Sequence, residues 1–228
     1  MSINRLIQHE GVAPESPVAA TESGTRATVL RAATALFADK GFEGATTRAI
    51  AAAAGVNIAT VHYHFGPKQA LYKAVVAHLY EAERHIVARH VGPLRRAVKG
   101  NPEAFFTRVD ALVDEFVALY AAEPERARLY MRRWLDAGER PSAAEVAVAV
   151  KPFRVVWRVL RHAESSGVIR HGVDYPVVLR AFIWQLYGYF VTGPLDWRGL
   201  HSDPTRPDAL EAFKAYHRRF VRRMLAAP

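Results

Sequence analysis

Residues 45–68 read ATTRAIAAAAGVNIATVHYHFGPK and constrain the fold more than any other stretch of the chain. The stretch contains two short helical segments, and each follows a residue whose side chain can cap a helix. The caps are Thr46 or Thr47 before the first segment and Asn57 before the second. Gly55 stands between the segments, where a helix ends in a left-handed residue that favours glycine. The spacing therefore predicts a helix, a tight turn and a second helix.

The second of these helices has two chemically different faces. Ile58, Val61 and Phe65 recur at helical spacing and form an apolar face. The other face is small, hydroxylated and aromatic: Ala59, Thr60 and Tyr63, with His62 and His64 at its borders. A helix this short is not stable alone in water, so its apolar face must pack on neighbours. The remaining face has the chemistry of a helix that enters the major groove of DNA.

The order of residues around this unit resembles the DNA-binding domain of TetR-family transcriptional regulators. The resemblance rests on Thr-Thr-x-x-Ile-Ala-x-x-Ala-Gly-Val, Thr60-Val61-His62-Tyr63-His64-Phe65, Lys68, Leu71, Leu36-Phe37-Ala38 and Gly41-Phe42. It covers roughly residues 26–75. The family often has tyrosine where this chain has His62, so the base preference is open. The resemblance implies an all-α fold, in which an N-terminal three-helix helix-turn-helix domain precedes a larger helical domain for ligand binding and dimerisation.

Ten side chains are the predicted DNA contacts: Thr46, Thr47, Arg48, Asn57, Ala59, Thr60, His62, Tyr63, His64 and Lys68. Thr47, Tyr63 and Lys68 would mainly position the protein on phosphates, which fixes register but conveys little sequence. Thr60, His62 and His64 are candidates for base edges, thymine methyl groups or phosphates. Lys68 opens a fourth helix, whose N-terminus adds partial positive charge.

Three regions are expected along the chain. Residues 1–24 lack periodicity and are predicted to be a flexible arm, with a minor-groove contact through Arg5 as the less favoured alternative. Residues 25–70 form the predicted DNA-binding domain, and residues 71–228 form the predicted ligand-binding and dimerisation domain. The first helix is expected over 25–40, ended by Gly41.

The second region is predicted to be helical throughout. The fourth helix should end near Val91, because Gly92-Pro93 breaks it. Further helices are expected over 102–122, 124–137, 142–166, 175–192 and 207–226. No segment alternates with the period of a strand, so no sheet is predicted.

Composition excludes several classes of protein. The 228 residues contain no cysteine, so disulfides and thiolate metal sites are absent. No nucleophile–base pattern, phosphate loop, paired catalytic carboxylates or metal-ligand spacing emerges, and neither an enzyme nor a cofactor is predicted. No apolar run has the length of a membrane helix, so we expect a cytoplasmic protein. Of the net charge of +9, residues 1–68 carry only +1, so the motif supports DNA binding more strongly than the charge does.

The last two predicted helices suit a homodimer interface. The penultimate helix is apolar almost all round, and the last has an apolar stripe beside a basic face. The predicted interface residues are Leu179, Ile183, Leu186, Phe190, Phe213, His217, Phe220 and Met224. The alternative is that both helices only close the core of the monomer.

Aromatic residues concentrate between 130 and 197, where they suit an effector pocket or an ordinary core. The residues guessed to line a pocket are Trp134, Phe153, Trp157, Trp184 and Tyr187. The predicted function is a ligand-responsive transcriptional repressor that binds a near-palindromic double-stranded operator as a homodimer. A small apolar or aromatic effector would release it.

Two other classes of protein stay open at this point. One is a helical ligand-binding or metabolic protein without a DNA role. The other is a membrane-surface protein that uses the basic last helix, with Arg218, Arg219, Arg222 and Arg223 beside its apolar stripe. Neither accounts for residues 45–68.

Overall fold

The computed structural model describes residues 17–135, 143–195 and 198–227, and these ranges contain nine α-helices and no strand longer than an isolated bridge between Leu195 and His201. The helices are α1 Pro17–Gly44, α2 Thr47–Ala53, α3 Ile58–Phe65, α4 Lys68–Ala97, α5 Pro102–Ala122, α6 Glu125–Leu135, α7 Ala143–Ser165, α8 Tyr175–Thr192 and α9 Pro207–Leu225. The predicted all-α fold is confirmed, and most helix ends lie within two residues of the prediction.

The first helix starts earlier than predicted. It begins at Pro17, so the part of the expected arm over 17–24 is helical. Proline is favoured in the first turn of a helix, and the alanines and glutamate that follow it are good helix formers. Gly41 breaks the helix as expected, with φ 71° and ψ 176°. The rest of the predicted arm, including Arg5, lies outside the described residues.

The fourth helix does not end at Gly92-Pro93. It continues through Pro93 to Ala97, although proline removes one hydrogen bond of the helix. Leu94 and Val98 are both 3% exposed, so the turn beyond the proline is held by burial against its neighbours. Tertiary packing here outweighs the tendency of Gly92-Pro93 to end a helix.

The helices pack so that α4 contacts both ends of the molecule. It lies against α1 and α3 near its start and against α5 and α7 farther along. The helix α6 packs on α1 and α8, while α9 packs on α5 and α8. One connected apolar core runs from Val29 in α1 to Leu225 in α9. No helix in the described ranges has the combination of length and hydropathy needed to cross a membrane.

Much of the basic face of α9 is bonded to α5. Arg218 makes two hydrogen bonds to Asp114, at 2.6 and 2.5 Å, and Arg222 binds both Asp110 and Glu103. These arginines are therefore only partly exposed and already have carboxylate partners. This arrangement disfavours a membrane-surface role, which needs the basic face of the helix free for lipid headgroups.

Two buried ionisable groups in the core have pKa values shifted in opposite directions. Burial raises the pKa of Glu83 from 4.5 to about 7, although Tyr120 donates a hydrogen bond to its carboxyl at 2.5 Å. Burial lowers the pKa of His217 from 6.5 to about 4. The backbone carbonyls of Phe182 and Phe213 limit that second shift, but neither makes a hydrogen bond of good geometry with the ring. Both groups are thus neutral in the folded chain over much of the weakly acidic range.

These shifts predict opposite dependences of stability on pH. Between pH 4.5 and 7, folded Glu83 keeps a proton that the unfolded chain has released, so the free energy of unfolding falls as pH rises, by up to roughly 3 kcal/mol. Between pH 4 and 6.5, unfolded His217 holds a proton that the folded ring lacks, so stability rises with pH. In Glu83→Gln, only the rise of stability with pH should remain. In His217→Phe, only the fall of stability with pH should remain. Urea titrations across this pH range measure the free energy of unfolding of each variant. If stability depended on pH in the same way in both variants, the opposite pKa shifts of Glu83 and His217 would be contradicted.

Candidate nucleic-acid interface and apolar cavity

Both helices of the turn unit are capped by the predicted side chains. The Oγ1 of Thr46 accepts a hydrogen bond from the amide of Ala49 at 3.1 Å. The Oδ1 of Asn57 accepts from the amide of Thr60 at 2.7 Å and from its hydroxyl at 2.9 Å. Gly55 has a φ of 67°. The caps satisfy amides that the first turn leaves unpaired, and they fix the start of α3.

The two faces of α3 divide as the spacing predicts. Val61 is fully buried and Phe65 is 9% exposed, so the apolar face packs on the core. Tyr63 is 77% exposed and is the most exposed of the large apolar side chains in the described ranges. Ala59 and His62 are exposed, whereas Thr60 and His64 are half-buried. The outward face therefore presents an aromatic ring, a hydroxyl and two imidazoles.

The hydrogen bond made by His62 determines what its ring offers outward. Its Nδ1 lies 3.0 Å from the carbonyl oxygen of Gly66. Because a carbonyl oxygen only accepts, Nδ1 carries the proton, and in the neutral ring Nε2 is then an acceptor. His64 lies edge-on to Tyr63, with ring centroids 5.1 Å apart. These contacts hold the rings of the outward face in defined orientations.

Lys68 is tied to the segment that follows the break in α1. Its Nζ donates to the carbonyl of Glu43 at 3.3 Å and lies 4.5 Å from the centroid of the Phe42 ring. An ammonium has three N–H donors, so these contacts orient it and still leave donors for a phosphate. Arg26 makes a similar contact that the sequence did not reveal, 5.1 Å from the centroid of the Phe65 ring.

The helix α1, on which α2 packs, is connected to the second half of the chain by Arg132 of α6. Its guanidinium donates to the carbonyl of Ala38 at 3.2 Å and to that of Asp39 at 2.8 Å. These carbonyls belong to the last turn of α1 before Gly41, where a helix leaves acceptors unpaired. The residues are more than ninety positions apart in the chain. No local pattern in the sequence signals this contact.

An apolar cavity of about 70 Å³ lies between α4, α5, α7, α8 and α9. Its wall is formed by valine, leucine and phenylalanine side chains alone, among them Val87, Phe116, Phe153 and Phe182. One water needs only roughly 10–15 Å³ but also needs polar partners, which this wall does not supply. The cavity therefore suits an apolar guest.

Only one of the five guessed ligand residues lines this cavity, and that residue is Phe153. Trp134, Trp157 and Trp184 are 50%, 37% and 43% exposed, so they lie outside it. Tyr187 is buried, but it stacks on Tyr130 at 5.2 Å instead of lining the cavity. The cavity wall consists of aliphatic and phenylalanine side chains. The concentration of tryptophan in the sequence therefore did not indicate where the cavity lies.

The residues of the predicted dimer face lie at different depths in the chain. Leu186 and His217 are fully buried inside the chain and Phe190 is 1% exposed, because α8 packs on α5, α6 and α9. The other predicted interface residues are half-buried: Leu179, Ile183, Phe213, Phe220 and Met224. The exposed apolar side chains on these helices are Val177, Trp184 and Tyr216. The outward face of α8 and α9 is therefore rotated away from the predicted stripe.

A buried carboxyl was also missed. Glu83 is 3% exposed and lies on α4 between Leu79 and Val87, one turn from each. Its position within an apolar stripe is a signal that the sequence does contain, because buried stripes rarely hold a carboxylate. Tyr120 on α5 and Tyr130 on α6 face it from neighbouring helices.

Comparison with known proteins agrees with this architecture. Residues 29–75 match the family of bacterial regulatory proteins described as the tetR family. The tetracycline repressor protein class C of Escherichia coli is 31% identical over 148 residues, which are 62% of this chain and 68% of that protein. The transcriptional repressor NicS of Pseudomonas putida is 28% identical over 156 residues, 65% of this chain and 68% of that protein.

Solved structures resemble the whole fold. The ketosteroid transcriptional regulator KstR2 of Mycobacterium tuberculosis superposes with a TM-score of 0.60 at 19% identity, covering 89% of this chain and 95% of that chain. At this identity the likeness shows the fold alone. The shared fold has an N-terminal helix-turn-helix domain and a larger C-terminal helical domain.

The caps predict a test that separates DNA reading from stability. Asn57→Ala removes the cap of α3 and should lower DNA affinity, because the start of the reading helix loses its fixed geometry. Asn101→Ala is a matched control, since Asn101 caps α5 through the amide of Ala104 at the same 2.7 Å. Each change should destabilise the fold by about 1 kcal/mol. DNA affinity is measured by gel shift and stability by urea; an equal loss of affinity in both variants would contradict a special role for Asn57.

Proposed function

The chain belongs to the TetR family of bacterial regulatory proteins and binds DNA to regulate transcription, and we propose that it acts as a ligand-responsive repressor. In this proposal it occupies a near-palindromic operator as a homodimer, and a small apolar effector releases it. Residues 25–70 serve as the DNA-binding domain, and residues 71–228 hold the effector and form the dimer. The capped and exposed face of α3 is the observation that most supports the DNA-reading part.

The proposed reading surface combines the N-termini of α2 and α3 with the outward face of α3. Thr47, Tyr63 and Lys68 bind phosphates, and the ring of Tyr63 is 77% exposed. His62 reads a base edge through Nε2, which as an acceptor suits the amino group of adenine or cytosine in the major groove. Each subunit reads one half-site, and the half-sites lie about 34 Å or a little more apart.

The proposed effector site is the apolar cavity. Its walls come from α4, α5, α7, α8 and α9, so a bound molecule contacts the helix whose first residue is Lys68. A ligand changes DNA affinity only through its difference in affinity for the two states of the protein. Filling the cavity would favour one placement of α4 and thereby change the spacing of the two reading helices in a dimer.

The proposed dimer forms through the outward faces of α8 and α9. Val177, Arg180 and Trp184 are exposed on one side of α8, beside the half-buried Ala181. Tyr216 is 47% exposed on α9, with the ring of Phe220 6.4 Å from its own. Exposed aromatic anchors of this kind are typical of protein interfaces.

Operator binding tests the proposed reading surface. Tyr63→Ala and Lys68→Ala should each weaken binding to the DNA upstream of the gene, and Lys68→Ala should also reduce the slope of log affinity against log salt by about one. Lys99→Ala is the control, because it removes the same charge two residues beyond the opposite end of α4. Unchanged affinity in both test variants would exclude this surface as the reader.

Oligomeric state tests the proposed interface. Trp184→Asp and Tyr216→Asp should convert the dimer to monomer in sedimentation experiments and reduce operator affinity, because each places an unpaired charge at the buried centre of the interface. Leu135→Asp is a matched control, since Leu135 is 75% exposed on α6 and lies outside the α8 and α9 face. A dimer that persists in both test variants would refute the assignment.

A further inference from the structure

Helix α3 lacks the side chains that most often read guanine or adenine. Its eight residues, IATVHYHF, include no arginine, lysine, asparagine or glutamine. Arginine and lysine bind the O6 and N7 acceptors of guanine, and asparagine and glutamine bind adenine through a donor and an acceptor together. The hydrogen-bonding side chains of α3 are instead hydroxyls and imidazoles, which can donate or accept. Which of the two they do outside the chain depends on the bonds they already make inside it.

The proton of the His62 ring is committed inside the protein. Its Nδ1 donates to the carbonyl of Gly66 at 3.0 Å, so Nε2 of the neutral ring can only accept. Gly66 has φ 73° and ψ −144°, a conformation that strains any residue with a side chain, so the backbone that holds this carbonyl depends on glycine. The exposed ring of His62 is thus left with one hydrogen-bonding group, an acceptor.

The hydroxyl proton of Thr60 is committed as well. Its Oγ1 donates to Oδ1 of Asn57 at 2.9 Å, and the same oxygen accepts from the amide of Thr60 at 2.7 Å. An amide oxygen cannot donate, so the direction of the hydroxyl bond is fixed. For a partner outside the chain, the hydroxyl of Thr60 therefore offers only its lone pairs.

These two acceptors flank the ring of Tyr63. Residues two apart in an α-helix are turned about 200° from each other, so Thr60 and His62 lie on opposite sides of the outward face and meet different base pairs. His64 differs from both, because it makes no hydrogen bond with a described residue that would fix which nitrogen carries its proton. The internal bonds of α3 therefore set the polarity of two reading side chains.

We infer that α3 recognises the amino groups of bases: Thr60 and His62 each accept from adenine or cytosine, and each rejects guanine and thymine. This assignment rests on the proposed DNA-reading role of α3 and adds the chemistry of the bases it takes. In the major groove, adenine N6 and cytosine N4 donate, whereas guanine O6 and thymine O4 accept. An acceptor placed against another acceptor leaves both without a hydrogen bond. Adenine and cytosine on one strand are therefore interchangeable at two positions of each half-site.

Selection of bound duplexes from a pool of randomised double-stranded DNA measures the base preference of the full chain. At pH 8, where free imidazole is neutral, two positions of each half-site should admit adenine and cytosine on one strand. Guanine or thymine placed there should weaken binding at least about fivefold. Exchange of adenine and cytosine should change binding by less than about twofold.

Two variants identify which positions α3 reads. His62→Arg replaces the acceptor by donors and should convert one position from adenine or cytosine to guanine. Thr60→Val removes the hydroxyl and should abolish the preference at the other position. The controls make the same changes away from α3: His85→Arg on the exposed side of α4, and Thr107→Val on α5, whose hydroxyl also bonds within its own helix at 2.9 Å. Both controls should leave the selected sequence unchanged.

Modified duplexes separate the amino group from the rest of the base. Purine in place of adenine at the position assigned to His62 removes the N6 amino group and should weaken binding by the unsubstituted chain at least about fivefold. In His62→Ala the same replacement should have no effect, because the acceptor is gone. Each protein serves as its own reference, so a change in folding does not imitate this result.

Three results would overturn the recognition of amino groups. They are interchange of adenine with guanine or thymine at these positions, no change of preference in either variant, and an equal loss from purine in His62→Ala and the unsubstituted chain. Any of them with sequence-selective binding intact refutes only the chemistry assigned to Thr60 and His62. Absence of sequence-selective DNA binding by the unsubstituted chain refutes the proposed function itself.

Discussion

One continuous helix, α4, belongs to both packed halves of the chain, and the rest of the structure depends on that continuity. Leu71, Val75 and Leu79 bury its first turns beside α1 and α3, and Ile86, Val87 and Leu94 bury its later turns in the helical bundle. A helix resists bending because each turn is hydrogen-bonded to the next. Any change in how the bundle packs on its later turns is therefore carried to Lys68 at its start.

A second connection constrains the same movement. Arg132 of α6 holds the carbonyls of Ala38 and Asp39 near the end of α1, so α1, on which α2 packs, is attached to the bundle through α6 as well as α4. The ring of Tyr130, two residues earlier in α6, stacks on Tyr187 of α8 beside Glu83. Both connections thus pass beside the buried carboxyl of Glu83.

Local features of the sequence predicted the helices well, and long-range packing explains the exceptions. Asn57, Asn101 and Asp174 cap helices through their own side chains, and such caps depend only on neighbouring residues. Pro93 misled the prediction because Leu94 and Val98, which hold the next turn, are buried by distant helices. The outward face of α3 was predictable because a single apolar triplet fixes its inner side.

The faces of α8 were not predictable in the same way. A helix that is apolar almost all round has no periodicity that separates core from interface, so only its neighbours decide that Leu186 is buried and Trp184 is exposed.

The net charge of the chain did not predict which basic side chains are free to bind DNA. The positive excess lies mostly in the second half of the chain, where Arg218 and Arg222 are bonded to carboxylates of α5. The reading unit is left with few fixed charges, so the DNA affinity we propose for it rests on capped helix ends, oriented rings and the two copies of the proposed dimer.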